Sequence, residues 1–480
     1  MHKLVCAALL LLSWSKQAIS SPSGAPRYRS IFSFGDSFAD TGNNPAVFGW
    51  YSVFDPVTRP PYGTSFFGRP TGRNGDGRLI IDFIAENLGL PYVPPTLAHN
   101  GSFRRGANFA VGAATALDAS FFHERDIPGG ASKFPLNTSL GVQLEWFESM
   151  KPSLCRTARE CKKFFSRSLF LVGEFGVNDY HFSFQRKTVQ EVRSFVPDVI
   201  ATISIAIERL IKHGARSLVV PGVIPSGCSP PILTKFANAP PAAYNSETGC
   251  LTAHNELGLH HNTLLQAELD SLRAKHSNVR IIYADFFGPI MEMVESPHKF
   301  GFEDDVLMVC CGGPGRYGLN STVPCGDAAA TTCPDPSARL YWDGVHLTEA
   351  ANRHVADVWL GEINSSTGAS RKQANRPCRQ PPPRFDLLDD DPSQLLAAAA
   401  AKKAAAPAPA KPASKQPAKT PPPAEDARGS RGDVAGCGRD GRGGGFGRTG
   451  RRRDRGDADA NGFEGGYGGG YEAPRLEDGW

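Results

Sequence analysis

Between residues 27 and 364, short apolar runs alternate with longer stretches of helical periodicity, and this alternation limits the fold more than any other feature of the chain. Residues 29–34 read as a strand, 79–88 as a helix ended by Gly89 and Pro91, and 142–150 as a short amphipathic helix. Residues 169–172 are continuously apolar, as in a parallel strand buried on both faces. A helix-like run at 199–212 stops at His213-Gly214, and a strand at 217–220 runs into Pro221-Gly222. A helix at 257–276, a strand at 279–287 and a closing helix at 348–360 complete the series. Repeated strand-then-helix order gives an α/β fold, with a parallel sheet between layers of helices. Ligands of such sheets sit at the carboxyl ends of the strands, so the residues just past each strand are where chemistry is expected.

The two ends of the chain read differently. Met1-His2-Lys3 is a short basic start, residues 4–14 are mostly apolar, and Ala18-Ile19-Ser20 offers small residues for cleavage. Residues 1–20 therefore read as a secretory signal peptide. No later run reaches the ~18 apolar residues of a membrane span. Of 11 cysteines, Cys6 leaves with the signal, and Cys155, Cys161, Cys228, Cys250, Cys310, Cys311, Cys325 and Cys333 lie in the globular part. None has zinc-knuckle spacing, so disulfides are expected rather than a metal site. Cys155/Cys161 and Cys228/Cys250 are close enough in sequence to be partners, with the connectivity left open. Asn100, Asn137, Asn320 and Asn364 head Asn-x-Ser/Thr triplets and are candidate glycosylation sites. These features point to a secreted protein, extracellular or in the cell wall.

Residues 365–480 are rich in Pro, Ala, Lys, Gly and Arg and poor in groups that bury surface, which predicts a low-complexity, disordered tail. The net charge of +4 belongs to this tail, where 20 Lys+Arg face 15 Asp+Glu, and the rest of the chain is close to neutral. The tail is thus the one place where nucleic acid is considered as a partner. Residues 441–455, with Phe446 among arginines and glycines, resemble a nucleic-acid-binding segment, at odds with a secretory start.

Residues 31–44, "IFSFGDSFADTGNN", end an apolar run in a dense set of small polar groups with Ser37 at its tip. A serine hydroxyl needs a histidine to take its proton and a third group to hold that histidine. "YWDGVHLTEAA" places Asp343 and His346 three residues apart, at the start of a helix-like run, close enough for a carboxylate to accept from imidazole Nδ1–H. "GEFGVNDY" puts Asn178 on a loop after the strand at 169–172, as a donor for an oxyanion. "GANFAVGAAT", residues 106–115, is rich in small residues whose N–H groups approach a ligand closely, and the Ser37 N–H is a further donor. Each segment taken alone also reads as ordinary turn or packing structure. Together they supply nucleophile, base, orienter and oxyanion donors. No G-x-S-x-G elbow is present, which disfavours an ordinary α/β-hydrolase.

These blocks resemble those of the plant GDSL esterase/lipases of the SGNH hydrolase superfamily. "FSFGDSFADTGN" resembles the first block, "RPPYGTSFFGRPTGRNGDGRLIIDFIAENLGLPYVPP" the stretch after it, and "GANFAVGAATALD" the second. "GEFGVNDY" resembles the third block and "YWDGVHLTEAA" the last, with "VVPGVIPSGCSPP" and "VCCGGPGRYG" also similar to family segments. The resemblance covers residues 27–364. It implies a flavodoxin-like three-layer α/β/α sandwich, hydrolysis of carboxylic esters and no cofactor. It also implies Ser37 as nucleophile, Asp343 and His346 as its partners, and Asn178 as an oxyanion donor. Two positions depart from the pattern: Ala113 stands where the second block has its oxyanion glycine, with Gly112 one residue early, and Val177 replaces a second glycine before Asn178. The oxyanion N–H is thus assigned to Gly112 or Ala113. The expected substrates are small-molecule or polysaccharide esters, preferably with short acyl groups, or lipids. An acyltransferase with the same triad and a catalytically weakened binding protein remain as alternatives.

Overall fold

The computed structural model describes residues 27–50, 55–127 and 138–365. The expected signal peptide, and the expected tail beyond Ser365, lie outside the described residues. Five parallel strands form the centre: β1 (Ser30–Phe34), β2 (Gly106–Asn108), β3 (Ser168–Val172), β4 (Ser217–Pro221) and β5 (Arg280–Ala284), in the order β2-β1-β3-β4-β5. Every residue of β1 and β3 is buried, which explains the continuously apolar run at 169–172. Helices cover both faces, giving the three-layer α/β/α architecture.

Side-chain alternation along β1 sets one layer. Phe32 and Phe34 point to the same face and meet Phe147 at 5.8 and 5.9 Å between ring centroids. Phe147 belongs to the Leu140–Leu154 helix, which packs with the Ala158–Phe165 and Val196–His213 helices. The Ile80–Asn87, Phe287–Glu295 and Glu349–Asn364 helices pack together as a second group, the last of them reaching β5. Trp359 of that helix is fully buried and donates from Nε1 to Asp285 O.

Several elements differ from their sequence-based bounds. β2 falls in the glycine-rich stretch read as a loop, because its three residues pair with Ile31, Phe32 and Ser33 although they carry almost no side-chain signal. The strand expected at 279–287 ends at Ala284, and Phe287 starts a helix, its N–H donating to Asp285 Oδ1. The helix expected at 142–150 runs over Leu140–Leu154, capped by the Ser139 hydroxyl.

Four disulfides join Cys155–Cys161, Cys228–Cys250, Cys310–Cys333 and Cys311–Cys325. The last two cross-link one loop whose backbone is bonded to the segment before Asp343, Cys310 N–H to Tyr341 O and Cys311 N–H to Trp342 O. Among the described residues, no helix is long and apolar enough to cross a membrane.

Candidate active site

Strand register brings the polar segments together. Phe34 is level with Val172, so Gly35-Asp36-Ser37 and Gly173-Glu174 leave the sheet side by side. Ser33 is level with Asn108, and the chain beyond β2 continues along the same edge through Phe109 N–H to Ser33 O and Val111 N–H to Gly35 O.

The turn after β1 is closed by the Phe38 N–H on Asp36 Oδ1 and by the Ala39 and Asp40 N–H groups on Asp36 O. Gly35 has φ +154°, and a Cβ there would meet Glu174 Oε2 at 2.7 Å. Gln143 holds this glycine from both sides: its Oε1 accepts from Gly35 N–H at 2.9 Å and its Nε2 donates to Gly35 O at 2.8 Å. Sequence reading missed Gln143, since one glutamine within an amphipathic helix carries no positional signal.

Asp343 and His346 lie in a tight turn just ahead of the Glu349–Asn364 helix. Tyr341 and Leu347 bridge its base, and Trp342 N–H donates to His346 O at 2.8 Å. The turn, rather than helical spacing, brings the two side chains together. His346 Nδ1 is 2.6 Å from Asp343 Oδ1, and His346 Nε2 is 2.8 Å from Ser37 Oγ. Asp343 Oδ2 accepts a hydrogen bond from Tyr62 OH at 2.5 Å. Ser37 is 8% exposed and the His346 side chain 17%, so the pair is sheltered but open at one edge.

Charge follows this geometry. Burial pulls the His346 imidazole down, but the charge and hydrogen bond of Asp343, with help from Asp36, outweigh it and leave the group above its ordinary value. Burial pushes Asp343 up, yet His346 and the Tyr62 hydroxyl hold it below the usual carboxylate range. Burial pushes Asp36 up to about 7, against the Phe38 N–H and the His346 charge. Glu174, also buried, is raised well above its usual range by burial and by Asp36.

Asn178 is the second residue of the Val177–Ser183 helix, not a loop residue. Gly176 precedes that helix at φ +118°, where a Cβ would meet His261 Cε1 at 2.9 Å. Val177 is buried as the helix's first residue. The Asn178 amide donates to Asp36 Oδ2 at 2.9 Å and to Ala114 O at 3.0 Å. The next residue, Asp179, accepts from the Ala116 and Leu117 N–H groups and so fastens the loop after β2 to this helix.

The structure separates the two candidates on that loop. Gly112 N–H donates to Asp40 Oδ2 at 3.3 Å, and the same carboxylate accepts from the N–H groups of Gly42, Asn43 and Asn44. Ala113 sits at φ +66°, the left-handed region in which glycine is favoured. Among the described residues, neither the Ala113 nor the Ser37 N–H donates a hydrogen bond.

Of the candidate glycosylation sites, Asn100 and Asn364 are exposed, Asn320 is half-buried with its amide on Pro314 O, and Asn137 lies outside the described residues. Among the described residues, no group of three His, Cys, Asp or Glu side chains is placed to hold a metal ion.

The chain is similar in sequence to known proteins. The family model described as GDSL-like lipase/acylhydrolase matches residues 31–359. A second model, Stm1, matches residues 369–444, outside the described residues. A GDSL esterase/lipase of Arabidopsis thaliana is 47% identical over 338 residues, covering 69% of this chain and 89% of its own. Another from the same plant is 45% identical over 342 residues, covering 71% of this chain and 85% of its own. The sinapine esterase of Brassica napus is 43% identical over 365 residues, covering 74% of this chain and 91% of its own.

Proposed function

This chain belongs to the GDSL-like lipase/acylhydrolase family and is a carboxylic ester hydrolase, and from that premise we propose that it is a secreted serine esterase working through Ser37, His346 and Asp343. The observation that carries the reading is the continuous hydrogen-bonded line from Ser37 Oγ through both ring nitrogens of His346 to Asp343.

His346 Nε2 takes the Ser37 proton as Oγ attacks the ester carbonyl carbon. The carbonyl π pair moves to oxygen, and the oxyanion is held by the N–H groups of Ser37 and Ala113. Asn178 joins them once its amide turns from Ala114 O or Asp36 Oδ2 toward substrate. As the tetrahedral intermediate collapses, the C–O bond to the alcohol breaks and His346 returns the proton to the leaving oxygen. Water then attacks the acyl-enzyme, giving its proton to His346, and Ser37 leaves with that proton as the acid is released. Asp343 remains a carboxylate throughout and stabilises the imidazolium.

The substrates in this reading are esters with short acyl groups, carried by small metabolites or by acetylated polysaccharides. An ester such as the one that names the Brassica napus relative falls within the first class. The apolar N-terminal run and the four disulfides support an extracellular or cell-wall setting. The Ser37, His346 and Asp343 assignments are tested by initial rates of the full chain on a series of chromogenic esters of rising acyl length, beside Ser37→Ala. Turnover that is confined to the parent and falls with chain length is the expected result. Equal turnover by the variant would remove the mechanism, and a preference for long chains would remove the substrate class.

A further inference from the structure

Asp343 uses its two oxygens on two partners. Oδ1 faces His346, and Oδ2 accepts from Tyr62 OH, 281 residues away in sequence. Tyr62 is 2% exposed and lies edge-on to Trp342, with 5.8 Å between ring centroids. Val57, Cys310, Cys311 and Cys325 pack in the same small cluster. The segment that follows Tyr62 is pinned by Gly63 N–H on Gly75 O and Ser65 N–H on Asp76 O, while Asp76 Oδ1 accepts from Glu349 N–H at the start of the helix beyond His346. The phenol is therefore carried on backbone fixed to the start of the helix that follows Asp343 and His346.

Resting on the triad reading above, we propose that Tyr62 is a positioning residue of the esterase, its hydroxyl locking the Asp343 carboxylate so that Oδ1 stays aligned on His346 Nδ1. A buried tyrosine hydroxyl needs an acceptor for its own sake, so packing alone explains burial of the ring. It does not explain why the acceptor is the oxygen that Asp343 turns away from His346. A donor on Oδ2 fixes the carboxylate plane. It also draws charge from Oδ1, and does so most strongly when His346 is neutral and the carboxylate charge is uncompensated. Loss of the hydroxyl therefore favours protonated His346.

The test is Tyr62→Phe in the full chain, with the pH profile of kcat/KM and thermal unfolding measured alongside Ser37→Ala. The expected result is a kcat lower by roughly tenfold, KM little changed, and an acid limb moved to higher pH. A fluorinated tyrosine at position 62, a more acidic donor of nearly equal size, should move the limb to lower pH. This second variant serves even where Tyr62→Phe folds poorly. An acid limb unmoved in both variants would overturn the proposal, whatever happens to stability. If Ser37→Ala is inactive while Tyr62→Phe matches the parent, the Tyr62 assignment fails and the triad stands. If Ser37→Ala retains turnover, the triad reading itself fails.

Discussion

The backbone N–H of Gly112 donates to the buried carboxylate of Asp40, 72 residues earlier in the chain. That bond occupies the glycine N–H, so the mechanism proposed above assigns the oxyanion to the neighbouring Ala113 N–H. Ala113 sits at φ +66°. A left-handed alanine costs about 1–2 kcal/mol, offset in a glycine by ~0.4–1 kcal/mol of unfolded-chain entropy. Ala113→Gly should therefore raise unfolding free energy by roughly 0.5–1 kcal/mol with kcat/KM within about twofold of the parent. Denaturant titration and ester kinetics on the same preparation check both. A clear loss of stability would show that the methyl group packs usefully.

The imidazole of His346 is raised above its ordinary value of 6.5. Its neutral form is the base, so kcat/KM should fall as pH drops through a midpoint above 6.5. Stability runs the other way. A raised folded-state value stabilises the fold below 6.5, and that contribution is lost as pH rises through the folded value. The stability advantage of the parent over His346→Gln should therefore shrink with rising pH across this window while activity grows. Melting temperatures of the two proteins between pH 5 and about 9 decide it, and a constant difference would contradict the raised value.

Asn178 spends its amide on Asp36 Oδ2 and Ala114 O in the resting enzyme. Replacing it with alanine should leave KM nearly unchanged and lower kcat by roughly 10²–10³, the usual effect of removing one oxyanion donor. A loss confined to KM would place Asn178 in ground-state binding instead.

How much of this was legible depends on where each signal lives. The apolar run before Gly35 and the run before Gly173 announce adjacent buried strands, because parallel strands covered on both faces carry little else. Asp343 and His346 were legible as a pair ahead of the closing helix, but the turn that brings their side chains together carries no periodic signal of its own. β2 was missed because Gly106, Ala107 and Asn108 form a strand only through their neighbours. Tyr62 and Gln143 were invisible for a related reason. Each acts on a residue more than a hundred positions away, and nothing local marks a tyrosine or glutamine for such a contact. The Gly112 contact with Asp40, which bears on the proposed oxyanion donor, is likewise one that composition cannot supply.

The Cys311–Cys325 link closes 14 residues beside the segment that carries Asp343. A loop of that size contributes about 3 kcal/mol by constraining the unfolded chain. Cys311→Ser combined with Cys325→Ser should lower unfolding free energy by about that much. It should also reduce kcat at temperatures where the protein is still folded, because Cys311 N–H holds Trp342 O, one residue before Asp343. Unchanged kcat in a folded double variant would show that the Asp343 turn holds itself.

The central claim is that Ser37 is the nucleophile. Its most direct test is intact mass and peptide mapping after reaction with a small fluorophosphonate, which traps an activated serine by losing fluoride. One adduct per chain, mapped to Ser37, absent from Ser37→Ala and strongly slowed in His346→Gln, is the predicted result. An adduct on another residue, or equal labelling of Ser37→Ala, would contradict it.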